Sequence, residues 1–404
     1  MEHLNRSLTA AALITTCLIS VSISGSAARA DDGDQSQQRN RFTVTALVSD
    51  VPVKNMNPTI DPVLRNAWGV AFTPGASPFW VADNASGCAT LYDGVGAKVS
   101  LPGPGGGVAI PLPDNSVPST ACQPAAAAAT PPPPTPAAPT GLVWNPTTAP
   151  AGFLVPGTNI AASFIFDTED GTISAWAGGI PNPSQAVIAF DNSASGAVYK
   201  GLVVGANANG VFLFATNFNA GTVDVFGPAD ANSNGQYVPV TTSGGFVDPK
   251  IPAGFAPFGI QNIDGNLFVT YAKQNPQKHD DVAGPGNGFV DIFDTDGNLL
   301  RRFASHGPLN SPWGITRASF ALGRFSGDIL VGNFGNGKVN AFDSTGDFLD
   351  TLRDGGDKPL VIDGLWTLTL GGGRNSNSDT LYYTAGPNGE TNGLFGTIIP
   401  ISKK

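Results

Sequence analysis

Charge is scarce in this chain. Asp, Glu, Lys and Arg make up 13% of its 404 residues, against about 25% in an ordinary soluble domain. Basic residues are the scarcer sign, which leaves a formal net charge of −10. A nucleic-acid-binding protein needs the opposite balance, so that class is excluded. Histidine and cysteine occur three times each and methionine twice. No Walker-type loop, dinucleotide fingerprint or G-x-S-x-G elbow is present. Beyond the N-terminus, no apolar run is long enough for a membrane-spanning helix. What is plentiful is 51 Gly and 34 Pro, too many helix breakers for a bundle or coiled coil. Hydrophobic residues at 41%, with 24 Phe among them, exclude a disordered chain. The remaining class is a turn-rich, all-β globule.

Residues 1–30 have the form of a secretory signal peptide. Arg6 gives the positive start, Leu8 to Ile23 the apolar stretch, and Ala28-Arg29-Ala30 the small-residue cleavage site. Cleavage there predicts a secreted or periplasmic protein without a transmembrane anchor. Residues 31–41 are polar and expected to be a disordered tail. Cys17 leaves with the signal, so Cys88 and Cys122 are predicted to pair as a disulfide. The two histidines that stay, His279 and His306, do not supply a multi-histidine zinc site.

Two anchors alternate six times along the rest of the chain. One is a glycine with apolar neighbours: WGVAF at 68–72, GLVW at 141–144, GLVV at 201–204, FGIQ at 258–261, WGIT at 313–316 and GLWTL at 364–368. The other is a glycine followed five positions later by a large apolar residue, as in Gly87 and Tyr92, Gly171 and Trp176, or Gly337 and Phe342. Each unit divides into short strands separated by Gly, Asn and Asp, the residues that turns require. Four strands per unit, six times over, predicts a six-bladed β-propeller. The sixth unit is one strand short. Phe42–Val48 has the composition to supply it, which predicts closure of the ring by an N-terminal strand. The Pro/Ala/Gly-rich stretch at about 100–140 departs from the repeat and is expected to be an insert, either lid or disordered loop. The propeller is thus expected to run over 42–404, as a monomer.

The fifth unit, with PWGI, GDILVGN and GKVNAFD, resembles an NHL-type propeller repeat. Longer strings resemble an uncharacterised family of secreted bacterial propellers, conserved hypothetical proteins associated with PEP-CTERM systems. They include NAWGVAF (66–72), FIFDTEDGTISAW (164–176), FATNFNAGTVDVF (214–226), KHDDVAGPGNGFVDIFD (278–294) and VIDGLW (361–366). That resemblance implies the propeller fold and carries no biochemical activity. The chain closes on IIPISKK, without a hydrophobic sorting tail.

In propellers, the loops between second and third strands gather with the entries to the first strands on one face. Here those loops carry Asp83 and Asn84; Asp167, Glu169 and Asp170; Asn217; His279, Asp280 and Asp281; Asn333; and Asn388 and Glu390. The first-strand entries add Asn66, Lys200 and Asp363. The binding candidates are Asp83, Asn84, Glu169, Asp170, Asn217, Asn333, Asp363 and Lys200. A divalent cation such as Ca²⁺ would be taken by Glu169, Asp170, Asn217, Asp280 and Asp281. His279, with Asp280 or Asp281 orienting it, is the candidate for general-base or metal-ligand chemistry. So few catalytic side chains point to a binding module for a small ligand, glycan or envelope protein. The alternative is a metal-dependent lactonase, lyase or other hydrolase at the channel mouth. Asp294–Asn298 opens like an EF-hand loop, but Ser305 stands where its closing Glu is needed, so a hairpin turn is expected.

Overall fold

The computed structural model describes residues 40–75, 77–125 and 132–401. Residues 1–30, expected to be a signal peptide, and residues 31–39 of the expected tail at 31–41 lie outside the described residues. Asn40 is buried, and its side-chain amide donates to Asp350 and to the Thr351 carbonyl (3.0 and 2.8 Å).

Six sheets form a six-bladed propeller. Blade 1 comprises Ala67–Ala71, Phe79–Asp83, Cys88–Tyr92 and Val108–Ala109. Blade 2 comprises Pro139–Trp144, Phe164–Thr168, Thr172–Trp176 and Val187–Asp191. Blade 3 comprises Tyr199–Asn207, Gly210–Asn217, Thr222–Gly227 and Val238–Pro239. Blade 4 comprises Phe255–Ile263, Asn266–Lys273, Phe289–Phe293 and Leu299–Ser305. Blade 5 comprises Pro312–Arg317, Ile329–Asn333, Val339–Phe342 and Phe348–Thr351. Blade 6 takes Leu365–Leu370, Leu381–Ala385 and Leu394–Pro400. Phe42–Ser49 then pairs antiparallel with Leu394–Pro400, and Thr59–Ile60 adds a short parallel strand that the repeat pattern does not announce.

The first strand of each blade lines the centre, and each packs on the next around the ring. That approach explains the glycine anchor. A Cβ at Gly69, Gly141, Gly259 or Gly314 would run into the backbone of the neighbouring inner strand. The same positions interrupt the pairing register as β-bulges, at Ala67/Val70, Pro139/Leu142, Pro257/Ile260 and Pro312/Ile315. In blade 6 the register interruption falls between Leu365 and Leu368. The residue aligned with the glycines is therefore Thr367, which hydrogen-bonds the Trp68 carbonyl (2.7 Å). Gly364, the anchor expected from sequence, lies upstream with φ of 65°, where a Cβ would run into the Gly386 carbonyl.

The insert also differs from its expected limits. Val108–Ala109 pairs with Cys88–Ala89 as the outer strand of blade 1, and Pro139 already begins blade 2. Repeat structure thus reaches into both ends of 100–140. Its composition hides this, because a two-residue strand has no periodicity to read. The predicted Cys88–Cys122 disulfide is present, and the returning chain at Pro136–Ala137 presses on Gly87. Among the described residues no helix is long and apolar enough to cross a membrane.

Candidate functional site

Inner strands begin, and second strands end, on one face of the ring. The bulge residue that precedes the anchor glycine controls what that face exposes. It is Trp68, Thr140, Lys200, Phe258, Trp313 and Trp366 in blades 1 to 6. The four aromatics join Phe218 and Phe334 in one cluster that plugs the channel. Trp68 and Trp366 stack with ring centres 3.5 Å apart, and Phe334 stacks on Trp366 at 4.0 Å. Trp313 meets Trp68 and Trp366 edge-on. The channel itself holds a cavity of only about 60 Å³, walled by Gly69, Gly141, Gly201 and Gly314. That volume suits a water or two, so any larger ligand meets the mouth above the plug.

Lys200 is the one charged member of the bulge set, and it is 2% exposed. Its ammonium lies 5.2 Å from the centre of the Trp68 ring and 5.9 Å from that of Phe218. It forms a close ion pair with Glu169 and lies 3.8 Å from Asp280. Glu169 accepts a second hydrogen bond from the Asn84 amide (2.9 Å), and Asn84 accepts one from Asn66 (3.1 Å). The Asn66 amide also donates to Glu390 (2.8 Å), while its carbonyl oxygen accepts the Trp366 indole N–H (3.0 Å). His279 Nδ1 lies 2.8 Å from Asp280. One polar chain thus joins blades 6, 1, 2, 3 and 4 above the aromatic plug.

Electrostatics at the mouth follow from burial and like charge. Hydrogen bonding to Asp280 raises the His279 pKa, and the same contact lowers that of Asp280. Burial, with repulsion from Glu169, raises Asp170 and Glu390. Burial also raises Asp281, which sits beside the Ser311 hydroxyl. Backbone strain collects here too. Asn66, Lys278, Ser311, Asn388 and Glu390 all have positive φ, between 45° and 65°. Left-handed backbone at a non-glycine residue costs about 1–3 kcal/mol. At Glu390 it delivers a carboxylate to Asn66.

The remaining candidates from sequence stand apart from this chain of contacts. Asp83 is fully buried inside blade 1 beside Thr90, where burial raises its pKa well above the usual range. Asp170 holds the Ala138 backbone N–H (2.8 Å). Asn217 accepts the backbone N–H of Ala220 in its own turn and that of Val198 at the entry to the blade, and donates to Asp224 (2.9 Å). Asn333 bonds Asn310 and Pro308, and Asp363 accepts the Asn388 N–H (2.8 Å). Of the five residues expected around a cation, Glu169 and Asp280 converge. His279 completes a group whose ligand atoms lie within 4.8 Å of one another. Sequence reasoning places Asn66 and Glu390 on the right face without ranking them as site residues. The available signal was Lys200 itself, a lone charge in the slot that four other units fill with Trp or Phe.

Asp167 lies beneath Glu169, opposite the blade 2 bulge, and is fully buried. One carboxylate oxygen accepts the Thr140 hydroxyl (2.8 Å) and the Gly141 N–H; the other has no hydrogen-bond partner among the described residues. Burial pushes its pKa up to about 7. The folded chain therefore holds this proton where the unfolded chain, with an Asp near ~3.9, has lost it. Stability from this group is full below pH ~4 and is lost as pH rises through about 7, by up to ~4 kcal/mol. Asp167→Asn should remove that contribution. Thermal unfolding at pH 5 and pH 8 is expected to show a clearly smaller difference for the variant. An identical difference would mean that Asp167 is ionised in the folded protein throughout.

No family model matches the chain. The uncharacterized protein L690 of Acanthamoeba polyphaga mimivirus is 30% identical over 346 residues, covering 84% of this chain and 81% of that protein. The uncharacterized protein R640 of the same virus is 34% identical over 249 residues, 60% of this chain; the match spans 44% of that relative's length. Among solved structures, virginiamycin B lyase from Staphylococcus aureus aligns with a TM-score of 0.46 and 14% identity, over 89% of this chain and 100% of that one.

Proposed function

The chain belongs to the family of the uncharacterized mimivirus protein L690, and from that footing we propose an exported β-propeller binding module whose ligand seats on the channel mouth. The observation that carries this is the polar chain from Trp366 through Asn66, Asn84, Glu169 and Lys200 to Asp280. Five blades contribute to it, and strained backbone at Asn66 and Glu390 holds it in place. A rigid aromatic floor and a rim of carboxylates suit a ligand rich in hydrogen-bond donors or amines. A glycan, a small amine-bearing ligand and a basic segment of an envelope protein share that chemistry. The disulfide fits an oxidising compartment, and the N-terminal signal gives the route there. We also place the PEP-CTERM-associated bacterial propellers in this family, on the strings shared with them.

Binding of labelled protein to arrays of oligosaccharides and immobilised amines tests the reading. Asp280→Ala with Asp281→Ala, or Glu390→Gln alone, is expected to weaken retention of any captured probe at least tenfold. Unaltered retention would remove the mouth from the proposal. A second reading, a metal-dependent hydrolase or lyase, draws on the Glu169–His279–Asp280 group. His279, oriented by Asp280, would be its base, and a divalent cation such as Ca²⁺ its cofactor. Turnover of lactone or ester probes that falls with His279→Ala would favour it over simple binding.

A further inference from the structure

The donor group at the mouth and the Lys200 ammonium occupy one place. Ligand atoms of Glu169, His279 and Asp280 lie within 4.8 Å of one another, the spread expected around a single divalent ion. Lys200 Nζ is already paired with Glu169 there and is 3.8 Å from Asp280. An ammonium and a divalent ion so close repel each other strongly, and the partly dry floor screens them poorly.

The blade geometry does not depend on that ammonium, although its pair with Glu169 contributes stability. The equivalent bulge positions carry Trp68, Thr140, Phe258, Trp313 and Trp366, so the ring accepts neutral side chains of many sizes at this point. The Lys200 backbone is held independently, its carbonyl accepting the Trp313 indole N–H (2.9 Å). Rings of Trp68 and Phe218 flank the side chain and would pack equally against an apolar stem. His279 and Asp280 have side chains 47% and 64% exposed, so an ion has access from solvent.

We infer that Lys200 sets the cation specificity of the mouth: its ammonium is a built-in occupant that keeps divalent metals off Glu169, His279 and Asp280. One imidazole nitrogen and two carboxylates suit Zn²⁺ once the lysine is gone. This inference rests on the binding reading above, in which the mouth is where ligands meet the protein, and stands against the metal-dependent one.

Titration calorimetry with zinc chloride alone, on the full mature chain, provides the test. Lys200→Met is expected to bind one Zn²⁺ at least a hundredfold more tightly than the parent protein, and Lys200→Met with His279→Ala should lose that gain. Lys200→Arg keeps the charge and should stay closed to the ion. Should the methionine variant fail to fold, Lys200→Gln removes the charge while keeping a donor for Glu169, and the same gain is expected. Equal zinc affinity in parent and folded neutral variants would overturn the inference. So would tight zinc binding by the parent that His279→Ala abolishes. Neither result touches capture of organic probes by the mouth, and a failure of that capture leaves the zinc result standing.

Discussion

A chain that begins at residue 50 is expected to lose the cooperative unfolding transition of the intact protein. Phe42–Ser49 forms seven register pairs with Leu394–Pro400, from Phe42 opposite Pro400 to Ser49 opposite Leu394. Phe42, Ala46 and Val48 are buried, and Phe42 stacks on Phe325 at 6.3 Å. Burying Phe and Val side chains is worth about 1.5–3 kcal/mol each, and the lost ladder hydrogen bonds add about 1 kcal/mol apiece. Set against a total of ~5–15 kcal/mol for a typical domain, the deletion removes most of the margin. It also turns Leu394–Pro400 into an exposed edge, which invites aggregation. Urea unfolding followed by circular dichroism, with size-exclusion chromatography, would show the loss. A synthetic peptide spanning residues 40–50 is expected to restore the transition when added in trans. A truncated chain with an unchanged midpoint would mean that the ring holds without its N-terminal strand.

The propeller was legible because one physical constraint repeats. At four of the six inner-strand contacts the backbones approach so closely that only glycine fits, so Gly69, Gly141, Gly259 and Gly314 mark the ring in the sequence itself. The pattern misled in blade 6, where Thr367 takes the glycine's place and a turn glycine, Gly364, stands close by. The site was less legible, for a different reason. Asn, Asp and Glu are chosen both for turns and for chemistry, and spacing does not separate the two uses. Asn217 and Asp363 hold turns, whereas Asn66 and Glu390 sit in left-handed turn backbone and also bond across blades. Which loop residues converge depends on the angle between blades, and a linear sequence does not display that angle. Lys200 escapes the ambiguity, because its slot is defined by the repeat and no turn calls for a lysine there.

Replacing Lys200 with methionine, in metal-free buffer, should destabilise the protein by about 3 kcal/mol at neutral pH. Breaking a buried pair by removing one partner costs about 3–5 kcal/mol, because the other charge is left uncompensated. The lower end applies because the Glu169 side chain keeps 13% exposure and the Asn84 hydrogen bond. Lys200→Met with Glu169→Gln should recover most of the loss, since a neutral pair of similar volume leaves no buried charge. Urea midpoints for the parent, both single variants and the double variant form a cycle that isolates the pair. A coupling near zero would mean that the ion pair is solvated in solution and that the mouth is more open than its side chains imply. A large coupling would mean that the Lys200–Glu169 pair is held in solution as its burial implies. Any ligand drawn to the carboxylates of the mouth would then have to bind beside Lys200 without displacing it.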